Sequence, residues 1–474
     1  MNLMVKLFYL VAFILIILSC KENPATKSLQ IKKGQPNVIV IVADDLGWND
    51  VSFHGSDIKT PSIDALATES FVFNRFYTAP VCSPTRAGLM TGKYPNRFGM
   101  RYGVVSPPTK NGLPPEEITF PEYLANNGYE NRAAFGKWHL GHSNIKYHPL
   151  NQGFNYFYGH YNGAIDYFTH KRDAELDWHK NYSTSFDKGY STDLVEKDVI
   201  RYIDSVKTKG AFFTYVAFNA PHSPMQSKLE ELNKYDFDPN MKMEDFPVGG
   251  MAGAEREKEI YGMEGRGNNL RQTFSGMVSS LDHSVGEIMQ YLKREGIYDN
   301  TIIWFLSDNG GVEYFGGNNK PLRGQKHTEW EGGVRVVSLL KDLGALNKKE
   351  EIDQVVGYID VFPTLADMVS EIPKHQVDGI SIKSRLSGEP LRKRDFFLGN
   401  GALVNDSFKL VKGELFKIDE DMSETKNVAD SYPEVFERLK TVVDSFKTIE
   451  KGKYIREPKD WIPPKNWKIK KAHE

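Results

Sequence analysis

Three stretches of the chain run almost wholly apolar and then break off into polar residues. Val38 to Val42 is a continuous β-branched run, the pattern of a strand buried on both faces, and it stops at Asp44 and Asp45. "AFFTYVAFNAPHSP" reads as a second such strand and stops at Pro221 and His222. "TIIWFLSDNGG" reads as a third and stops at Asp308 and Asn309. Between the strands the period changes to that of a helix. "STDLVEKDVIRYIDSVKTKG" places Leu194, Val195, Val199, Ile203 and Val206 on one face, with Thr192 as the expected N-cap and Gly210 as the stop. "TFSGMVSSLDHSVGEIMQYLKREG" predicts a long helix closed by Gly296. Repeated alternation of helix and strand predicts an α/β fold, with a large, mostly parallel sheet flanked by helices.

"GYIDVFPTLADMV" predicts the last helix of this large unit, and the pattern changes after about residue 385. "DFFLGNGALVNDSFKLVKGELFKIDED" predicts a small antiparallel sheet, and "YPEVFERLKTVVDSFKTI" predicts a closing amphipathic helix. The expected organisation is a leader over 1–19, a tether over 20–35, the large α/β domain over 36–385 and a C-terminal subdomain over 386–474. The tail from Lys451 is polar, basic and broken by prolines; it is expected to wrap the surface or to be disordered. Residues 225–270 read as a long loop or insertion.

The leader changes the picture of where the protein works. Leu7 to Leu18 is an unbroken apolar run after Lys6, with the length of a signal-peptide core and too short to span a bilayer comfortably. Ser19 followed by Cys20 resembles a bacterial lipoprotein cleavage site. The expectation is an exported, lipid-anchored protein of the periplasm or cell surface, with Cys20 as the lipidated residue. An ordinary signal peptide or an uncleaved anchor is the alternative. With Cys20 used in this way, Cys82 is the only other cysteine and has no disulfide partner. Such a residue is either a buried bystander or a reactive group. The 60 basic and 62 acidic residues nearly cancel, so no global field attracts nucleic acid; any anion selectivity belongs to a local pocket.

In open α/β sheets, sites form at the carboxyl ends of strands. The three strands therefore deliver Asp44, Asp45, His222, Asp308 and Asn309 toward one crevice. Adjacent aspartates are costly unless neutralised, and an oxygen-only ligand set points to Ca²⁺ or Mg²⁺ rather than Zn²⁺. On spacing alone, loop caps and turns explain the same residues equally well.

The motifs go further. "CSPTR" at 82–86 followed by "AGLMTGKYP" resembles the signature of type I sulfatases, which depend on formylglycine. "ADDLGWNDVSFHG", "GKWHLG" at 136–141, "APHSP" at 220–224, "SDNGG" at 307–311, and "GGNNKPLRGQK" with "WEGGVR" resemble further motifs of that family, in the family's order. The resemblance runs from about residue 36 to about 370. It implies an alkaline-phosphatase-like fold with a small C-terminal sheet. Cys82 is then the residue oxidised to formylglycine by a maturation enzyme, its hydrated aldehyde serving as nucleophile. The second hydroxyl of that gem-diol lets sulfate leave without water attacking the ester. Asp44, Asp45, Cys82, Asp308 and Asn309 would hold the metal, Ca²⁺ before Mg²⁺. Arg86 would hold the gem-diol and its neighbours. Lys137 would bind sulfate oxygens and His139 would orient or deprotonate the gem-diol, both facing the site from one extended segment. His222 would protonate the leaving oxygen, with Lys326 binding sulfate and sharing that role. Taken singly, His222 reads as an ordinary hydrogen-bonding histidine and the lysines as surface residues; the joint pattern marks them. His142, His283 and His327 are expected to be structural.

Within the family, "ADDLGWNDVSFHGS", "GGNNKPLRGQK" and "WEGGVR" look closest to the arylsulfatase B branch, the N-acetylgalactosamine 4-sulfatases. The implied substrate is a 4-O-sulfate on galactose or N-acetylgalactosamine in a carrageenan-type galactan or in chondroitin or dermatan sulfate. The aromatic stretch "QGFNYFYGHYNGAIDYFTH", 152–170, is either a sugar-stacking wall or ordinary core. Two rival readings stand beside this. One is a phosphodiester or phosphonate hydrolase, against which there is no second metal-ligand set. The other is a non-catalytic glycan-binding lipoprotein, against which stands the intact set of reactive residues.

Overall fold

The computed structural model describes residues 34–101, 103–246, 264–343, 350–449, 452, 454–458 and 460–469. The expected leader, Cys20 and most of the tether lie outside the described residues. Contacts divide the chain between Gln35 and Pro36, and the architecture below belongs to the unit that begins at Pro36. No helix among the described residues is long and apolar enough to cross a membrane.

A ten-stranded sheet organises this unit. Its strands are β1 (Asn37–Ala43), β2 (Phe71–Phe73), β3 (Asn131–Lys137), β4 (Tyr156–His160), β5 (His179–Lys180), β6 (Ser183–Thr184), β7 (Phe212–Ala217), β8 (Thr301–Ser307), β9 (Ser338–Lys341) and β10 (Glu350–Ile352). The spatial order is β10-β2-β9-β8-β1-β7-β3-β4-β5-β6. The five central strands, β8 to β4 in that order, are parallel. Antiparallel pairs join on both sides, through β9 and through β5. The mixed, mostly parallel sheet is thus the one expected.

The apolar runs have a direct structural cause. Along β1, Val38, Val40 and Val42 enter one core, while Ile39, Ile41 and Ala43 enter another on the opposite face. On β8, Ile302, Trp304 and Leu306 divide from Ile303 and Phe305 in the same way. A strand covered on both faces has no polar side, so the period-2 signal vanishes from its sequence. The first core packs against α2 (Cys82–Thr91), α3 (Phe120–Ala125) and α7 (Val361–Val369). The second packs against α1 (Pro61–Thr68), α4 (Ser191–Val206) and α5 (Leu270–Arg294).

Helix ends depart from the sequence in one place. Thr192 lies inside α4, whose N-cap is Tyr190 with no side-chain cap. The helix has already ended at Lys207, short of Gly210. Docking of Tyr190 in the core, 4% exposed, sets this start in place of a capping hydroxyl. Gly296 does follow the end of α5, in the left-handed conformation at φ 67°.

Beyond the main sheet, β11 (Phe396–Gly399), β12 (Ala402–Val404), β13 (Lys409–Val411) and β14 (Glu414–Phe416) form an antiparallel sheet covered by α8 (Pro433–Lys447). Its tie to the main body is a buried ion cluster. Lys409 Nζ lies 2.8 Å from both Glu331 Oε1 and Glu424 Oε1, with all three side chains fully buried or nearly so. Glu331 opens the short helix α6 (Glu331–Val334), and its other oxygen accepts from Tyr77 and Arg335. Replacing Lys409 by methionine removes the cation and leaves two buried carboxylates facing each other. Loss of one partner from a buried pair costs about 3–5 kcal/mol. The expected outcome in calorimetry is a Tm lowered by several degrees; an unchanged Tm would mean that the cluster does not hold the sheet in place.

Candidate active site

The central strands end together. β1 runs into Asp44 and Asp45, β8 into Asp308 and Asn309, β7 into the turn that carries His222, and β3 ends on Lys137. Backbone bonds hold these ends in register. Asp44 N donates to the Ala220 carbonyl (3.1 Å) and Asp308 N to the Ala43 carbonyl (3.0 Å). The fifth component comes from α2. Cys82 opens this helix, and all ten of its residues are buried. Arg86 sits one turn later on the same face, fully buried.

Three carboxylates and three cations interlock at this point. Arg86 donates to Asp308 Oδ2 through Nε (2.9 Å) and Nη2 (2.7 Å), and to the Lys137 carbonyl through Nη1 (2.9 Å). Lys137 Nζ donates to Asp44 Oδ2. Lys326 Nζ donates to Asp45 Oδ1 at 2.6 Å, and Asn309 Nδ2 donates to the same oxygen at 2.7 Å. Asp45 adopts a left-handed backbone, φ 67°, and its N–H donates to Asp308 Oδ1. One donor atom each from Asp44, Cys82 and Asp308 lie within 4.8 Å of one another, as do those from Asp44, Asp45 and His222.

Burial and neighbouring charge set the protonation of this cluster. Burial, reinforced by Asp308, pushes the Asp44 carboxyl up to about 7. Asp45 is equally buried, but Lys326 and then His222 outweigh burial and hold it well below the usual carboxylate range. Burial pushes the Cys82 thiol up, so the unmodified residue is a protonated thiol and not a reactive thiolate. Burial lowers His139, with Lys137 adding to it, and burial lowers His222 despite Asp45. For Lys326, burial is outweighed by Asp45 and the ammonium is held charged.

The donor set suits a hard cation. Asp44 Oδ1 and Asn309 Oδ1 are buried without any hydrogen-bond partner, which is costly for oxygens unless something positive faces them. The residues at hand are carboxylate and amide oxygens, the chemistry of Ca²⁺ or Mg²⁺ sites. Asp44, Asp45, Asp308 and Asn309 would hold such an ion.

A cavity of about 250 Å³ opens above the cluster, lined among others by Cys82, Asp45, His139, His222 and Lys326. His222 donates from Nδ1 to the Ser223 carbonyl (2.6 Å), which leaves Nε2 toward Asp45 Oδ2 at 3.7 Å. His139 reaches the site differently from expectation. β3 stops at Lys137, and His139 takes a left-handed backbone, φ 56°, so no extended alternation carries the two side chains. The ring lies against Gly163, where an added Cβ would stand 2.4 Å from its Cε1. Ser83 Oγ donates to the His139 carbonyl at 2.9 Å and ties it to α2.

All six residues expected to carry chemistry, and all five expected ligands, therefore converge on one place. His327, expected to be structural, lines the cavity directly after Lys326. Of the two readings open for the aromatic stretch, ordinary core fits Tyr158, Tyr161 and Tyr167, which are at most 2% exposed and pack in the cores. Its part in the site is Gly163 and Ala164. The charged lining residue missed in the sequence is Arg172, on a small hairpin (Lys171–Arg172 with Glu175–Leu176) whose turn at Asp173 and Ala174 has positive φ. No motif marks it. His142 is buried away from the cluster, and His283 is exposed on α5.

Comparison with known proteins agrees with this architecture. The family described as Sulfatase matches residues 36–371. Arylsulfatase J of Mus musculus is 34% identical over 363 residues, covering 74% of this chain and 56% of that protein. The chain thus spans little more than half the length of that relative. N-acetylgalactosamine-6-sulfatase of Mus musculus is 27% identical over 410 residues, covering 80% of this chain and 72% of that protein. Among solved structures, Ps i-CgsB superposes with a TM-score of 0.76 at 29% identity, covering 88% of this chain and 94% of that one. It has also been solved in complex with k-i-k-neocarrahexaose. A match that begins at the first strand and runs through α7 leaves one assignment: this chain belongs to the sulfatase family.

Proposed function

We propose that the protein hydrolyses sulfate esters of a sulfated polysaccharide or its oligosaccharides, with 4-O-sulfate on galactose or N-acetylgalactosamine as the target. The observation that carries this reading is the placement of Cys82. It opens a fully buried helix and lines the same cavity as Lys326, His139 and His222, directly above the carboxylate cluster. The carrageenan-type oligosaccharide bound to Ps i-CgsB supports a galactan, and the arylsulfatase B-like motifs support position 4. N-acetylgalactosamine-6-sulfatase among the relatives makes 6-sulfate the comparison to run.

Conversion of Cys82 to formylglycine would supply the nucleophilic hydroxyl, and a divalent cation on Asp44, Asp45, Asp308 and Asn309 would supply positive charge for the sulfuryl oxygens. The chain's own residues do the rest. Arg86, Lys137 and Lys326 face the three carboxyl groups, so a bound cation adds positive charge and tips the pocket toward an anionic ester. Arg86 fixes Asp308 and the end of β3 as one rigid unit. Lys137 and Lys326 hold sulfate oxygens, and His139, seated on Gly163, accepts the proton of the attacking hydroxyl. Lys326 Nζ, held charged on Asp45, delivers the proton to the leaving sugar oxygen, and His222 shares that role from Nε2 in its imidazolium form, which Asp45 favours. Export with lipid attachment at Cys20 belongs to the same proposal and rests on the leader sequence.

Three outcomes test it. Protein matured in a host with a formylglycine-generating enzyme releases sulfate from defined carrageenan or chondroitin 4-sulfate oligosaccharides. Cys82→Ala lowers this by at least about 10³-fold. Release from 6-sulfated oligosaccharides alone would overturn the positional assignment. Ca²⁺ at a hundred times its Kd stabilises the fold by about 2.7 kcal/mol, and EGTA reverses it; Mg²⁺ at equal concentration does less. A thermal shift assay with no response to either ion would remove the cation from the proposal. Gly163→Ala displaces His139 and lowers kcat by about 10²-fold, the scale of a 1 Å misplacement, without altering the Ca²⁺-induced shift in Tm.

A further inference from the structure

The C-terminal tail neither dangles nor merely covers surface. Ile455 accepts from Lys110 N (2.8 Å), Arg456 bridges to Thr109, and Glu457 N donates to the Pro108 carbonyl (2.7 Å). Farther on, Trp467 is only 1% exposed. Its indole Nε1 donates to the Arg172 carbonyl at 2.9 Å, and Asn466 N donates to Glu175 Oε2 at 2.7 Å. The tail therefore grips both arms of the hairpin that places Arg172 at the mouth of the reaction cavity.

The same segment closes a second cavity, of about 580 Å³, between itself and the loop that carries Pro107. Pro107 lines both cavities, so one residue's width of wall separates them. The second cavity has a distinct chemistry. Trp461 offers a half-buried indole beside Pro463 and Pro464. Lys465 and Lys468 are exposed and make no ion pair among the described residues. Of the two acidic residues on the lining, Glu457 is taken by Lys110 at 3.1 Å, and only Asp460 opposes the lysines. An aromatic face beside two unneutralised ammonium groups suits a pyranose ring that carries an anionic substituent.

We infer that residues 454–458 and 460–469 build a subsite for an anionic pyranose, the sugar next along the chain from the one whose sulfate ester is cleaved. This rests on the proposed function above and extends it: the enzyme reads a polymer through its tail. Sulfate or carboxylate on that sugar meets the lysines while its ring lies against Trp461. The tail also acts on the reaction cavity itself, because Trp467 sets the position of Arg172.

The test uses the full-length, matured protein and two variants, Trp461→Ala and the doubly exposed Lys465→Glu/Lys468→Glu. The quantity read is KM for a sulfated carrageenan or chondroitin sulfate oligosaccharide divided by KM for 4-nitrophenyl sulfate, which is too small to reach past Pro107. Both variants raise this ratio at least fivefold, and added salt raises the wild-type KM for the oligosaccharide more than that of the lysine variant. A ratio unchanged in both would overturn the subsite. Because Trp461 packs near Trp467, with ring centroids 5.9 Å apart, the lysine variant decides the matter if Trp461→Ala lowers Tm. A binding arm separates this inference from the reading it rests on. Cys82→Ala, with and without the lysine changes, is titrated calorimetrically with the same carrageenan and chondroitin sulfate oligosaccharides. Binding weakened at least fivefold by the lysine changes supports the subsite even where the wild type releases no sulfate, an outcome that sinks only the hydrolytic reading. Equal binding by the two proteins overturns the subsite even where sulfate is released. Binding of unsulfated chondroitin oligosaccharides and not of carrageenan oligosaccharides assigns the anion as the uronic carboxylate type; the reverse assigns it as sulfate.

Discussion

Three carboxylates placed side by side in a dry interior would repel one another and resist burial. Here Asp44, Asp45 and Asp308 lie at the ends of two adjoining parallel strands, each no more than 4% exposed. The arrangement is sustained because each has its own cation: Lys137 for Asp44, Lys326 for Asp45 and Arg86 for Asp308. These three come from β3, from the loop before α6 and from α2. Charge neutrality at one point therefore obliges three separate parts of the chain to meet there. Much of the surrounding structure follows from that obligation, including a helix whose every residue is buried so that one guanidinium can reach the strand ends.

The two oxygens left without partners, on Asp44 and Asn309, are the place where this balance is incomplete. The three cations each pair with a carboxylate oxygen and leave these two oxygens bare. Burial holds Cys82 as a thiol, so the unmodified residue has little nucleophilic character of its own. Lys326, His222 and His139 line the same cavity as Cys82.

The C-terminal region contributes through two distant anchors. Lys409 ties its sheet to Glu331, which lies shortly after Lys326 and His327 in the chain. Trp467 ties the end of the tail to the Arg172 hairpin on the other side of the cavity. A segment that looks like an appendage in sequence thereby touches the supports of the site from two directions. Its own cavity, with Trp461 and the lysines, borders the reaction cavity across Pro107.

Much of this was legible in the linear chain. Strands buried on both faces declare themselves as continuous β-branched runs, since neither side can be polar, and their polar terminators mark the sheet edge where a site forms. The residues of the charge cluster sit inside short motifs, because a residue that must take up a special backbone, such as left-handed Asp45, constrains its immediate neighbours as well. Other features were decided only by the folded chain. Arg172 and His327 reach the cavity through a hairpin and a loop whose directions depend on what they pack against, and local sequence carries no record of that. The aromatic residues of 152–170 became core rather than a sugar platform because two sheet faces competed for them, and burying a large ring in a packed interior outweighs leaving it in water. The start of α4 moved from Thr192 to a docked Tyr190 for the same reason. What the sequence by itself determined was the sheet, the polar residues at its strand ends and the family to which the chain belongs. What only tertiary structure decided was which distant residues close around them, since those contacts arise from long-range packing that no local pattern encodes.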